Sequence, residues 1–249
     1  MSIANNTFTI FLLALGTALA TGLGALPFLW IKTPSSRWMG IANAIAAGLM
    51  LGASVSLVLE GQHASTWSTV IGVALGIVFI IVTRRFLPDH DKLHIGGESG
   101  LNTRRALLLF LVMTVHSFAE GVGVGVAFGG GQAIGLMIAI AIAVHNIPEG
   151  LAISLTLVPK GTPVWKAALY SIASSLPQPL MAVPAYLAVE LFKPALPVGL
   201  GFAAGAMLWM VFGELIPESV KDGRSAPLTV GVTALAMAAM LTFTFMLNV

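Results

Sequence analysis

His116-Ser117-Phe118-Ala119-Glu120-Gly121 and His145-Asn146-Ile147-Pro148-Glu149-Gly150 are two copies of one six-residue pattern, set 29 residues apart. They supply the only ionisable side chains between Arg105 and Lys160. In each copy a His and a Glu stand four residues apart, which on a helix places both on one face. An ionisable group at the centre of a membrane helix costs roughly 2.5 to 3.5 kcal/mol. This chain places four of them within 34 residues. Such a cluster needs a partner, and a metal cation is the simplest one.

The surroundings of the pair fix the class. Of 249 residues 57% are hydrophobic and only 9% charged, against about 25% charged in a soluble domain, and the mean hydropathy is +0.95. This is the composition of an all-α polytopic membrane protein. Apolar runs long enough to cross a bilayer lie at 8–31, 38–59, 66–86, 105–128, 133–158, 164–192, 198–217 and 226–248, giving eight transmembrane helices in one membrane domain, 1–249. Turn chemistry separates them at Lys32 to Pro34, Gly129 to Gly131, Pro159 to Gly161 and Lys221 to Arg224. The residues before the first run carry no Lys or Arg, so that run is expected to be a span rather than a cleaved signal.

Charge then orients the chain. With the N-terminus outside, the inner loops hold Lys32, Arg37, Arg84, Arg85, Lys92, Arg104, Arg105, Lys160, Lys166, Lys221 and Arg224, and only Lys193 lies outside. The positive-inside rule therefore predicts extracytoplasmic termini and a cytoplasmic loop at 87–104. The basic pI of about 9.2 is an orientation signal and not a nucleic-acid footprint. Asp89, His90, Asp91 and His94 in that loop fit either a metal-binding stretch or an ordinary solvated loop. A bacterial inner membrane is the simplest location.

Internal repetition reaches beyond the duplicated motif. Ala46-Ala47-Gly48-Leu49-Met50-Leu51 in the second span recurs as Ala203-Ala204-Gly205-Ala206-Met207-Leu208 in the seventh, which runs the other way. An inverted repeat flanking a midplane site would read like this, as would small residues serving helix packing alone.

Counting 1.5 Å per residue from the expected helix ends puts His116 and His145 roughly 16 to 18 Å deep. Antiparallel fourth and fifth spans, joined by a short turn, would bring both motifs to one level. Two imidazoles and two carboxylates suit Zn²⁺, and also Cd²⁺, Fe²⁺, Mn²⁺ or Ni²⁺. With no cysteine in the chain, thiolate ligands are excluded. The pattern is not that of a zinc protease, which sets two His and a Glu base on one helix. Because imidazole must be neutral to bind metal, affinity should fall on acidification. Pro148 removes an amide beside the motif and is expected to kink its helix. Pro177-Gln178-Pro179, preceded by Ser174 and Ser175, puts a bent polar segment in the sixth span, as a third wall of the site or as plain packing. Glu214 and Glu218 either snorkel to water or line an exit route. Two other classes compete: a proton-coupled carrier using His-Glu relays, and a bis-His haem electron carrier, in which the glutamates would have no role.

At these residues the chain resembles the ZIP (Zrt-, Irt-like protein) family of divalent metal transporters, whose most specific marks are the His-(Asn/Ser)-x-x-Glu-Gly and His-Asn-x-Pro-Glu-Gly motifs of the fourth and fifth spans. The eight spans, outer termini, His-bearing loop and the segment from Ser174 to Pro179 extend the likeness over the whole chain. The resemblance implies a homodimer in a lipid bilayer that moves Zn²⁺ as transported substrate toward the cytoplasm by elevator-like alternating access. It assigns His116, Glu120, His145 and Glu149 to a primary metal site. It assigns Ser117, Asn146 and Gln178 to the positions that complete a second metal in some members. Ser117 and Gln178 stand where those members carry Asn and Glu, removing a ligand and a charge, so one metal is expected.

Overall fold

The computed structural model describes residues 3–31, 35–86, 97–223 and 225–247. The expected loop residues His90 and His94 lie outside them. The described residues are helical, without strands, and eight helical stretches among them are long and apolar enough to cross a membrane. The protein is a multi-pass integral membrane protein.

The first five spans are built on α1 (Ile3–Leu23), α2 (Ser36–Ala64), α3 (Thr66–Phe86), α4 (Gly97–Gly130) and α5 (Gln132–Leu157). The sixth is split into α6 (Val164–Ser175) and α7 (Pro177–Leu191). The seventh runs through α8 (Ala195–Met210), a π turn (Val211–Leu215) and α9 (Ile216–Gly223), and the eighth is α10 (Ala226–Leu247). The seventh therefore continues past the apolar limit at 217, because the last turns of α9 are polar and contact the protein. Ser219 donates a 2.7 Å hydrogen bond to the Gly40 carbonyl of α2 and sits 3.0 Å from the Thr229 hydroxyl of α10.

Local chemistry sets the ends. The Ser35 hydroxyl caps α2 by accepting from the Trp38 amide. Gly131 has φ of +148°, which only glycine adopts without strain, and it turns the chain from α4 into α5. Pro177 cannot supply the amide that would continue α6, so the sixth span breaks at Leu176. Pro148, in contrast, does not end its helix: α5 runs unbroken through it. The Val144 carbonyl, four residues back, loses its usual amide donor to that proline.

Packing sorts the spans into an inner and an outer set. Inside the fold lie 61% of the most apolar window of α4 and 56% of that of α5, against 22% for α3 and for α10. α3 and α10 thus turn most of their surface away from the rest of the fold. α3 packs along α8 and α10 along α2, while α4 packs along α7 and α5 along α1. Exchanging the first span with the sixth, the second with the seventh, the third with the eighth and the fourth with the fifth maps each of these pairs onto another. The inverted arrangement expected from the Ala46 and Ala203 segments has this pattern. Gly48 backs onto the Thr233 carbonyl of α10, and Gly205 backs onto the Val73 carbonyl of α3.

Candidate metal centre

α4 and α5 each turn one His-Glu pair toward the other. One ligand atom from each of His116, Glu120, His145 and Glu149 lies within 4.8 Å of the rest, and all four residues are buried. Ligands on a tetrahedral Zn²⁺ stand about 3.3 Å apart, given bonds of about 2.0 Å. Small side-chain rotations would therefore close the cluster onto an ion.

Glu120 is the hub. Its Oε1 lies 2.5 Å from His145 Nε2 and 3.1 Å from His116 Nε2. Its Oε2 accepts a 2.5 Å hydrogen bond from Gln178 Nε2. The orientation of that amide follows from its partner, since a carboxylate can only accept. Gln178 Oε1 then accepts from Asn146 Nδ2 at 3.1 Å and lies 2.6 Å from the Thr17 hydroxyl, whose proton is shared with the Ala14 carbonyl at 2.6 Å. Asn146 Nδ2 also reaches the Thr17 carbonyl at 2.8 Å. Gln178 and Asn146 thus lie directly behind Glu120, with their amide nitrogens already engaged.

The other side of the cluster is bare. Neither oxygen of Glu149 accepts a hydrogen bond from any described residue, and the same holds for both nitrogens of His116, for His145 Nδ1, for Asn146 Oδ1 and for the Ser117 hydroxyl. His116 Nε2 is near Glu120 but off the line that a hydrogen bond needs. A buried polar group left unpaired costs about 1 to 3 kcal/mol, and more when charged. The groups bearing that cost on His116, His145 and Glu149 are of the kinds that could ligate a metal cation.

The glycine that closes each motif explains the approach of the neighbouring helices. A Cβ on Gly121 would lie 2.5 Å from the Gln178 carbonyl, and one on Gly150 would lie 1.7 Å from the Thr21 carbonyl. Without side chains there, α4 meets the start of α7 and α5 meets α1 backbone to backbone. This contact sets Gln178 beside Glu120. The serines before the break join the same seam: the Ser175 hydroxyl is 2.8 Å from that of Thr21, and Ser171 lies 3.4 Å from the Gly150 carbonyl.

The structure adds residues that the sequence reading passed over. Thr17 and Thr21, four apart on the otherwise apolar stretch from Ile10 to Leu23 of α1, form a polar stripe whose spacing was a readable signal. On the far side of His116 and Glu149 runs a narrow cavity walled by Met50, Met113, Met210, Ala152 and Leu215. Nothing distinguishes those methionines from core residues in sequence. Glu214, next to Leu215, pairs with Arg84 at 2.6 Å, while Glu218 sits further along α9.

A model of the family described as ZIP Zinc transporter matches residues 88–246. The chain is 36% identical over 226 residues to the zinc transporter GufA of Myxococcus xanthus, covering 86% of this chain and 89% of that one. It is 35% identical over 230 residues to the zinc transporter ZIPB of Bordetella bronchiseptica, covering 86% and 74%. An Arabidopsis thaliana relative is 43% identical over 228 residues and covers 90% of this chain, which spans only 37% of that longer protein. With the motifs, the eight spans and the buried His-Glu cluster in place, the likeness is one of family: this chain is a member of the ZIP zinc transporters and not an enzyme.

Proposed function

We propose that the protein carries Zn²⁺, and divalent ions of similar chemistry, toward the cytoplasm by alternating access through a site made by His116, Glu120, His145 and Glu149. The observation behind this reading is the Glu149 carboxylate: buried, unpartnered, and within 4.8 Å of three further ligand groups. Two carboxylates neutralise a dication and two neutral imidazoles complete its shell, so the loaded site crosses the low-dielectric core with little net charge. The names of the bacterial relatives support zinc as the substrate.

A single ion fits this chain best. Gln178 donates to Glu120 Oε2, the oxygen that would otherwise face a second cation, and the donor is uncharged. The positive-inside count supports outer termini and inward transport, and the resemblance supports a homodimer and an elevator-like step. A bacterial inner membrane remains the simplest location, although a plant relative is among the matches. A haem reading is disfavoured because both imidazoles address the same carboxylate oxygen of Glu120. Replacing Glu149 with Ala should abolish saturable zinc uptake into proteoliposomes while leaving the protein folded and monodisperse. Undiminished uptake by that variant would remove the assignment.

A further inference from the structure

The cavity beside the cluster ends against the π turn. Met210 and Leu215, which flank and close that turn, line it together with His116 and Glu149. Apart from those two site residues its lining is apolar. Glu214 follows the lining residue Met210 by four positions and immediately precedes the lining residue Leu215. That side chain is only 16% exposed, and its carboxylate is taken by the Arg84 guanidinium of α3 at 2.6 Å. The same guanidinium lies over the Trp209 ring of α8, 4.7 Å from its centroid.

The helix irregularity makes this arrangement possible. Trp209 and Glu214 are five residues apart, which in a regular α-helix separates them by roughly 140° around the axis. A π turn winds back part of that angle, and here the Ile216 amide bonds to the Val211 carbonyl, five residues back. Both side chains then reach one guanidinium. Arg84 is 43% exposed and sits in the last turn of α3 beside Arg85.

We infer that Arg84 and Glu214 form a latch across the mouth of this cavity, in which the guanidinium holds the carboxylate a departing cation would next meet. The inference rests on the transport reading for what passes through, but the latch itself is a property of the empty protein. A dication approaching Glu214 competes with Arg84 for the carboxylate and repels it. The latch thus yields to the charge it is placed to release. Arg84 is a positioning residue here, acting through Glu214.

The chain has no cysteine, so Met113→Cys places a single thiol in the cavity wall. The experiment measures its rate of reaction with a charged methanethiosulfonate reagent in purified, zinc-free protein. With the latch intact the rate is low. Arg84→Ala and Glu214→Gln should each raise it about tenfold, the size expected for losing a partly buried ion pair that biases two states. The charge exchange Arg84→Glu with Glu214→Arg should return it to within about twofold of the Met113→Cys parent. Equal rates in all variants would overturn the latch, and so would fast labelling in the charge exchange, because that outcome reports a loosened fold. Zinc bound by the parent, measured separately by elemental analysis, distinguishes the two ideas. A parent that binds no zinc overturns the transport site whatever the labelling shows.

Discussion

At the scale of single residues, the deciding contrast is between Glu120 and Glu149. Both are buried glutamates following a histidine by four, yet one is surrounded by donors and the other has none. The sequence made both visible through their cost in an apolar chain. It could not rank them, because the ranking depends on Thr17, Asn146 and Gln178, which come from three different spans. Gln178 carries the sharpest consequence. Its Nε2 supplies the proton that makes a 2.5 Å contact with Glu120 tolerable. A glutamate there would set carboxylate against carboxylate, a repulsion relieved by a proton or by a further cation. Gln178→Glu is therefore expected to add about one equivalent of zinc per chain by elemental analysis. Unchanged stoichiometry would show that the amide is not what limits the site to one ion.

At the scale of elements, the spans were legible from apolar runs and turn residues, and what went unread were the interruptions within them. The break at Leu176 follows from Pro177 and was signalled. The continuous course of α5 through Pro148 was also legible, since the apolar run at 133–158 carries the span past the proline. The π turn at Val211–Leu215 has no sequence mark, and its role emerges only from the contact of Trp209 and Glu214 with one arginine. The motif glycines are the elements' joints. Gly150 faces the Thr21 carbonyl too closely for any Cβ, whereas Gly16, on the same α1, has nothing within 4 Å. Gly150→Ala should cost about 1 to 3 kcal/mol by overpacking and lower the thermal midpoint of the detergent-solubilised protein by several degrees. Gly16→Ala should hold or raise it, as an exposed helical glycine replaced by a better helix former. Equal midpoints for both variants would mean that α1 and α5 are not held at backbone contact.

At the scale of the whole molecule, the inverted pairing exchanges the two motif-bearing spans with one another, so the four His and Glu ligand groups come within 4.8 Å of one another where the halves meet. Two imidazoles and two carboxylates from antiparallel helices make that site nearly neutral when filled. Beside the cluster, a narrow methionine-lined cavity touches His116, Glu149 and the π-turn residue Leu215. All of this presupposes that the buried cluster takes one zinc. X-ray absorption at the zinc edge, on purified protein loaded to saturation, measures it directly. The account predicts about one zinc per chain in a shell of nitrogen and oxygen at roughly 2.0 Å, with multiple scattering from two imidazoles. A protein that retains no zinc, or a zinc shell without imidazole, would contradict it.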